Sequence, residues 1–134
     1  MDTTSFTVTN GKPDQIESLY INLNKGKIKA CLSVLAFVDN DTKQYIAYIP
    51  SLHISGYGAT EQKAMEMLKY SLDNFGNYIA SLPADKVSLE LASYGWEKTI
   101  FNKEYSRKFA AGDSTLSGYN AENNKIEHLT LQAA

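Results

Sequence analysis

Three features of this sequence hold residue types that carry chemistry in other proteins. The first is Gly56-Tyr57-Gly58, a glycine-rich turn between an extended segment and a helical one, where backbone amides can hold a phosphate or another anion. A dinucleotide fingerprint would put a third glycine at position 61. That residue is Glu61, and a carboxylate in the first helical turn repels an anion seated there. The turn therefore reads first as structural: Pro50 stops a strand, Gly56 and Gly58 supply positive φ angles, and Thr60 caps the helix. An anion or metabolite pocket over Gly56 to Thr60 is the alternative.

The second feature is the set of metal-ligating and nucleophilic side chains. His53 and His128 stand apart and Cys31 has no neighbouring ligand type, so neither a metal nor any other cofactor is expected. Cys31 lies within a strand pattern, where a thiol packs as a small residue; a nucleophile would need an adjacent base. Asp39 and Asp41 fall in a polar loop and read as turn formers. His53, beside the Pro50 turn, is a candidate contact residue.

The third feature is EKTIFNKEYSRKF, Glu97 to Phe109, which interleaves Lys98, Lys103, Arg107 and Lys108 with Phe101, Tyr105 and Phe109. Glu97 and Glu104 dilute its charge and no helix-turn-helix pattern adjoins it, so it reads as a mixed solvated face. No catalytic constellation emerges, and a non-enzymatic protein is expected. The chain has 9 tyrosines, a residue enriched at protein interfaces, and Tyr45, Tyr48 and Tyr57 with His53 form a candidate partner surface.

Positioning these residues falls to a small set of elements. Met1 to Asp14 is rich in Thr, Asn, Asp, Gly and Pro and reads as a flexible lead-in, residues 1–16 in all, before one domain over 17–134. Glu17 to Asn22 is a candidate strand, with a turn over Asn24 to Gly26. From Ile28 to Val38, Ile28, Ala30, Leu32, Val34, Ala36 and Val38 form an unbroken apolar row, and Leu35 and Phe37 add a second apolar face, which predicts a central strand. Asp39 to Lys43 is then a loop, Gln44 to Ile49 the returning strand, and His53 to Tyr57 a short third one.

Ala64, Leu68, Leu72, Phe75, Ile79 and Leu82 recur at spacings of three and four, predicting a helix over Glu61 to Ser81. Met65, Met67 and Tyr70 widen its apolar stripe. Lys86 to Tyr94 admits a strand or a short helix. We favour the helix, because Asp85 can cap its start and Gly95 can end it. Residues 97–134 read as a polar C-terminal extension, irregular until a short strand near Ile126 to Leu131. The expected fold is α+β: a small antiparallel or mixed sheet of three or more strands, covered on one face by one long helix, with a short second helix.

Composition narrows the setting. A chain of 134 residues with 43% apolar content can bury one core without disulfides. A net charge of −2, with both signs dispersed, gives no field for nonspecific nucleic-acid binding. One cysteine suits a reducing compartment, and the longest apolar run, Val34 to Val38, is far too short to cross a bilayer. The amino end has no basic start followed by an apolar stretch, so cytoplasmic placement without a membrane partner is expected.

The order of pieces from Leu35 to Trp96 resembles the HicB-like antitoxin family. It comprises a hairpin ending Ala47-Tyr48-Ile49-Pro50, the Leu52 step, Gly58-Ala59-Thr60 and a helix bearing Ala64 and Leu68. Val87, Leu91 and Gly95-Trp96 are similar to a branch associated with Bacteroides-like bacteria. The resemblance implies a truncated ribonuclease H-like fold, a three-stranded sheet backed by one helix. It also implies a protein partner, a small toxin-like ribonuclease that the domain neutralises by covering it. Family members often repress their own operon through a carboxy-terminal DNA-binding module. Residues after Trp96 carry no such pattern, so direct DNA binding is not expected. A self-associating homo-oligomer is the remaining expectation, since exposed sheet edges can pair with copies of themselves.

Overall fold

The computed structural model of the chain describes residues 6–12, 15–99, 104–109, 119, 121–122 and 125–133. Its strands are β1 (Phe6–Asn10), β2 (Gln15–Asn22), β3 (Lys27–Val38), β4 (Tyr45–Ile49), β5 (Ile54–Gly58), β6 (Glu97–Lys98), β7 (Tyr105–Phe109) and β8 (Glu127–Ala133). Two helices, α1 (Glu61–Ser81) and α2 (Ala84–Ser93), stand between β5 and β6. The fold is α+β, as the periodicities predict, and the sheet is eight-stranded and antiparallel throughout.

β3 is the spine because its sequence is apolar on both sides. Leu32 and Val34 are fully buried toward the helices, while Leu35 and Phe37 are buried on the opposite face. One flank of β3 pairs with β8 from Ala30 to Ala36. The other flank is shared end to end: β2 takes Lys27 to Cys31 and β4 takes Leu35 to Val38, leaving positions 32–34 between the two strands. β2 then continues past β3 to pair with β7, and β7 with β6. The order is β1-β8-β3-β2-β7-β6, with the β4-β5 hairpin attached beside β3.

α1 begins and ends where the spacing predicts. Thr60 Oγ1 accepts the Lys63 amide at 3.2 Å, satisfying one of the donors orphaned at a helix start. Ala64, Leu68, Leu72, Phe75 and Ile79 are buried on its sheet side, Met65 packs at the core margin, and Met67 and Tyr70 stay exposed. The helix lies close enough to β5 that a Cβ on Gly56 would stand 2.3 Å from both Ala64 O and Leu68 N. Neither Gly56 nor Gly58 adopts a positive φ, correcting the reading of them as turn formers: both lie in β5, and the missing side chain is what the helix needs. The positive φ in this region belongs to His53, at 54°, in the turn after Pro50.

α2 confirms the helical choice for the ambiguous segment, with one adjustment. Pro83 holds the cap position without a side-chain bond and Asp85 sits in the first turn, so Asp85 is not the cap. Gly95, at φ +92°, closes the helix: the Trp96 amide donates to Leu91 O at 3.1 Å and the Gly95 amide to Ala92 O at 3.0 Å, the paired bonds of a Schellman end. That closure turns Trp96 inward, where it is 2% exposed.

Three boundaries differ from the sequence reading. Within the segment read as a flexible lead-in, Phe6–Asn10 is a strand and Gln15 and Ile16 already belong to β2. Phe6 and Val8 alternate with Thr7 and Thr9, a β-branched period of two that the Asn, Gly and Pro around it masked. Tyr105–Phe109 is a strand of the same sheet, with Tyr105 8% exposed, and not an irregular solvated face. The predicted last strand is present as Glu127–Ala133, and it pairs along the spine with Leu129, Leu131 and Ala133 in the main core. Lys103 and the AGDST run fall outside the described residues.

Candidate functional site

Two clusters of polar or aromatic side chains bear on the candidate residues. The first fills the gap at positions 32–34. Glu17 shares its parity on β2 with Leu19 and Ile21 and is carried into the core, fully buried. Its Oε2 accepts the Ser33 amide at 2.9 Å and the Ser51 hydroxyl at 2.8 Å. Arg107 Nη1, from β7, approaches Oε1 at 3.4 Å. The carboxylate supplies the acceptor for the Ser33 amide, which lies between the stretches of β3 that β2 and β4 pair.

Around this carboxylate the network closes. Trp96 Nε1 donates to Ser51 O at 2.9 Å and Arg107 Nε to Tyr94 O at 2.9 Å, tying the α2 exit to the turn after β4 and to β7. On β3, Gln15 donates to Ser33 Oγ while accepting from Thr130 Oγ1 at 3.1 Å. Burial pushes the Glu17 carboxyl above its usual range, while the Ser33 amide, the Ser51 hydroxyl and Arg107 pull the other way. Ser51 and Glu17 are both fully buried, so their contact offers no path to a substrate and acts as a structural tie.

The second place is the β3–β4–β5 end of the sheet, where the candidate tyrosines lie. Tyr48 and Tyr57 share the face opposite the helices, Tyr57 standing directly across from Ile46. Tyr48 is half-buried against Tyr119, whose ring also packs on Phe37 at a centroid distance of 5.5 Å. Tyr119 donates its hydroxyl to Ser55 Oγ at 3.0 Å, and burial raises the Tyr48 phenol above its ordinary pKa. Tyr57 is 53% exposed at the rim of this cluster.

Tyr45 lies on the other face, in line with Ala47, and His53 projects from the β4-β5 turn with its ring 5.2 Å from that of Tyr94. The fold thus brings Tyr48 and Tyr57 together and sets Tyr45 and His53 apart from them. An open groove of about 640 Å³ links the two faces at this end, lined by Tyr45, Ile46, Ala64 and Ile126 with Glu61 and Glu127 among its charged residues. Glu122, also on its wall, pairs with Lys43 at 3.1 Å.

Elsewhere the sequence candidates are spread out. Gly58 faces Lys63 across the strand-helix junction, its virtual Cβ 2.6 Å from the lysine Cβ, and Thr60 is engaged as the cap. Cys31 is partly buried, and burial raises its thiol pKa. Among the described residues no three His, Cys, Asp or Glu side chains gather as a metal site would require, and no helix is long and apolar enough to cross a membrane. The Glu17 network escaped the sequence reading. Its one signal was a carboxylate at the core-facing parity of a strand otherwise apolar on that side.

Comparison with protein-family models, with curated proteins and with solved structures finds no match to this chain.

Proposed function

We propose that the chain is a non-enzymatic protein-binding module of the kind its resemblance to HicB-like antitoxins implies, one that covers a small ribonuclease partner with the β3–β4–β5 end of its sheet. The observation that carries this reading is Tyr57. It is an aromatic side chain 53% exposed, on the same sheet face as the packed Tyr48, Tyr119 and Phe37 rings and directly across from Ile46, which lines the groove. Rigid aromatic side chains supported by a packed cluster are the anchors that dominate protein interfaces. Fully buried Ser51 and Glu17 support the non-enzymatic half of the proposal, because the polar network nearest to catalytic chemistry has no access for a substrate.

The test is co-expression with the product of the adjacent reading frame, followed by size-exclusion chromatography. A complex retained by the wild type and lost in Tyr57→Ala, with unchanged circular dichroism, supports the proposal. No complex with that product, or one indifferent to both Tyr57→Ala and Tyr45→Ala, overturns it.

A further inference from the structure

The sheet has three outer flanks, and they are finished differently. The flank at β6 is two residues long, Glu97 and Lys98, both charged and exposed, which discourages a further strand. The flank at β5 is occupied by α1: Ser71 Oγ donates to the Ser55 carbonyl at 3.1 Å, and the Gly56 backbone lies against Ala64 and Leu68. β1 has neither protection. Among the described residues it pairs with β8 alone, its sequence Phe-Thr-Val-Thr-Asn carries no charge and no proline, and its register with β8 advances one for one without a bulge.

The direction of its unpaired backbone follows from one bond. The Gly11 amide donates to His128 O at 3.0 Å, the residue opposite it by continuation of the ladder, so Gly11, Thr9 and Thr7 turn their amides toward β8. Phe6, Val8 and Asn10 therefore direct their N–H and C=O groups outward. We propose that this edge pairs antiparallel with the same edge of a second copy, about a two-fold axis at Val8, joining two eight-stranded sheets into one.

The choice of a second copy as occupant rests on the strand's own chemistry. Antiparallel pairing about Val8 places Phe6 opposite Asn10 of the mate and Val8 opposite Val8, each pair exchanging both hydrogen bonds. With no charge on the strand, identical edges meet without repulsion. Phe6 and Val8, which pack half-buried at the margin of the main core, would continue that core across the axis. On the opposite face, Thr7 of one copy would meet Thr9 of the other, a favourable cross-strand pair. This surface lies away from Tyr57, so the inference stands independently of the partner proposed above.

Sedimentation of the full chain over a dilution series tests it, with Val8→Pro and the double variant Thr7→Lys/Thr9→Lys alongside. Val8→Pro removes only an outward amide and leaves the bonds to β8 in place. The double variant keeps every amide and sets cations against each other across the axis. The expected result is a wild-type species of twice the chain mass, with both variants monomeric, or dimerising about tenfold or more weakly, at unchanged circular dichroism. If Val8→Pro disturbs the fold, the lysine variant decides alone. A wild type monomeric at every concentration, or a dimer that persists in the lysine variant, overturns the proposal.

Discussion

The Glu17 carboxylate accepts the Ser33 amide at 2.9 Å at the point where β2 has parted from β3 and β4 has not yet joined it. A side chain thus completes a ladder that no strand completes. Removing it strands a buried amide and the Ser51 hydroxyl, each costing about 1–3 kcal/mol when left unsatisfied. Glu17→Ala should lower unfolding free energy by about 3 kcal/mol or more in urea titration. A loss under about 1 kcal/mol would show that water replaces the carboxylate without penalty.

The same residue fixes a pH dependence. Its folded pKa lies above the ordinary 4.5, chiefly through burial, so between those two values the folded protein holds a proton that the unfolded chain has released. Stability from this group is complete below the unfolded pKa and is lost as pH rises through the folded one. Glu17→Gln cannot ionise. The wild-type thermal midpoint should therefore fall relative to the variant's as pH rises through that window, and parallel curves would refute the assignment.

Gly56 allows α1 to rest on β5. A methyl there would meet backbone atoms at 2.3 Å, which no side-chain rotation relieves. Gly56→Ala should destabilise by about 3 kcal/mol, at the upper end of ordinary overpacking, measured by chemical denaturation. Thr60→Ala, which removes only the cap, should cost about 1 kcal/mol by the same measurement.

Trp96 is the chain's 1 tryptophan, 2% exposed, with its indole donating to Ser51 O at 2.9 Å. Its emission should be blue-shifted in the folded protein and move to the red on unfolding, reporting directly on the Glu17 region. Trp96→Phe keeps an aromatic ring and orphans the Ser51 carbonyl, at an expected cost of about 1–2 kcal/mol.

Tyr48 and Tyr57 share a face but not a role. Tyr48→Ala takes a half-buried ring out of the Tyr119 cluster and should cost about 2 kcal/mol. Tyr57→Ala should change stability by less than about 0.5 kcal/mol, because the ring is largely in solvent. Equal losses at the two positions would place Tyr57 in the core and remove it as an interface anchor.

Elements that bury one regular face are directly legible from their periodicity. β3 shows this in its double apolar row and α1 in its threes and fours, and the Thr60 cap and Gly95 closure followed from local chemistry. Two strands hid for opposite reasons. β1 was masked by the loop-forming residues around a five-residue core, and β7 by an arginine at an inward position, legible as sheet only once Glu17 is known to face it. The buried network depends on contacts between Glu17, Ser51, Trp96 and Arg107, residues distant in the chain whose convergence no local spacing encodes. The same holds for the tyrosines: strand parity separates Tyr45 from Tyr48, but only the hairpin register places Tyr57 beside Ile46.

The position of β8 sets the order in which the molecule can be finished. It lies between β1 and β3, with Ala133 beside Phe6 on one side and Ala30 on the other. A nascent chain whose Glu127–Ala133 segment is still inside the ribosome leaves one whole flank of β3 without a neighbour, with fully buried Leu32 and Val34 short of their cover. Pairings between such distant segments form slowly, because the loop they close is long. Completion of this sheet therefore waits on β8, and until that strand docks the half-built spine is the surface a chaperone would meet.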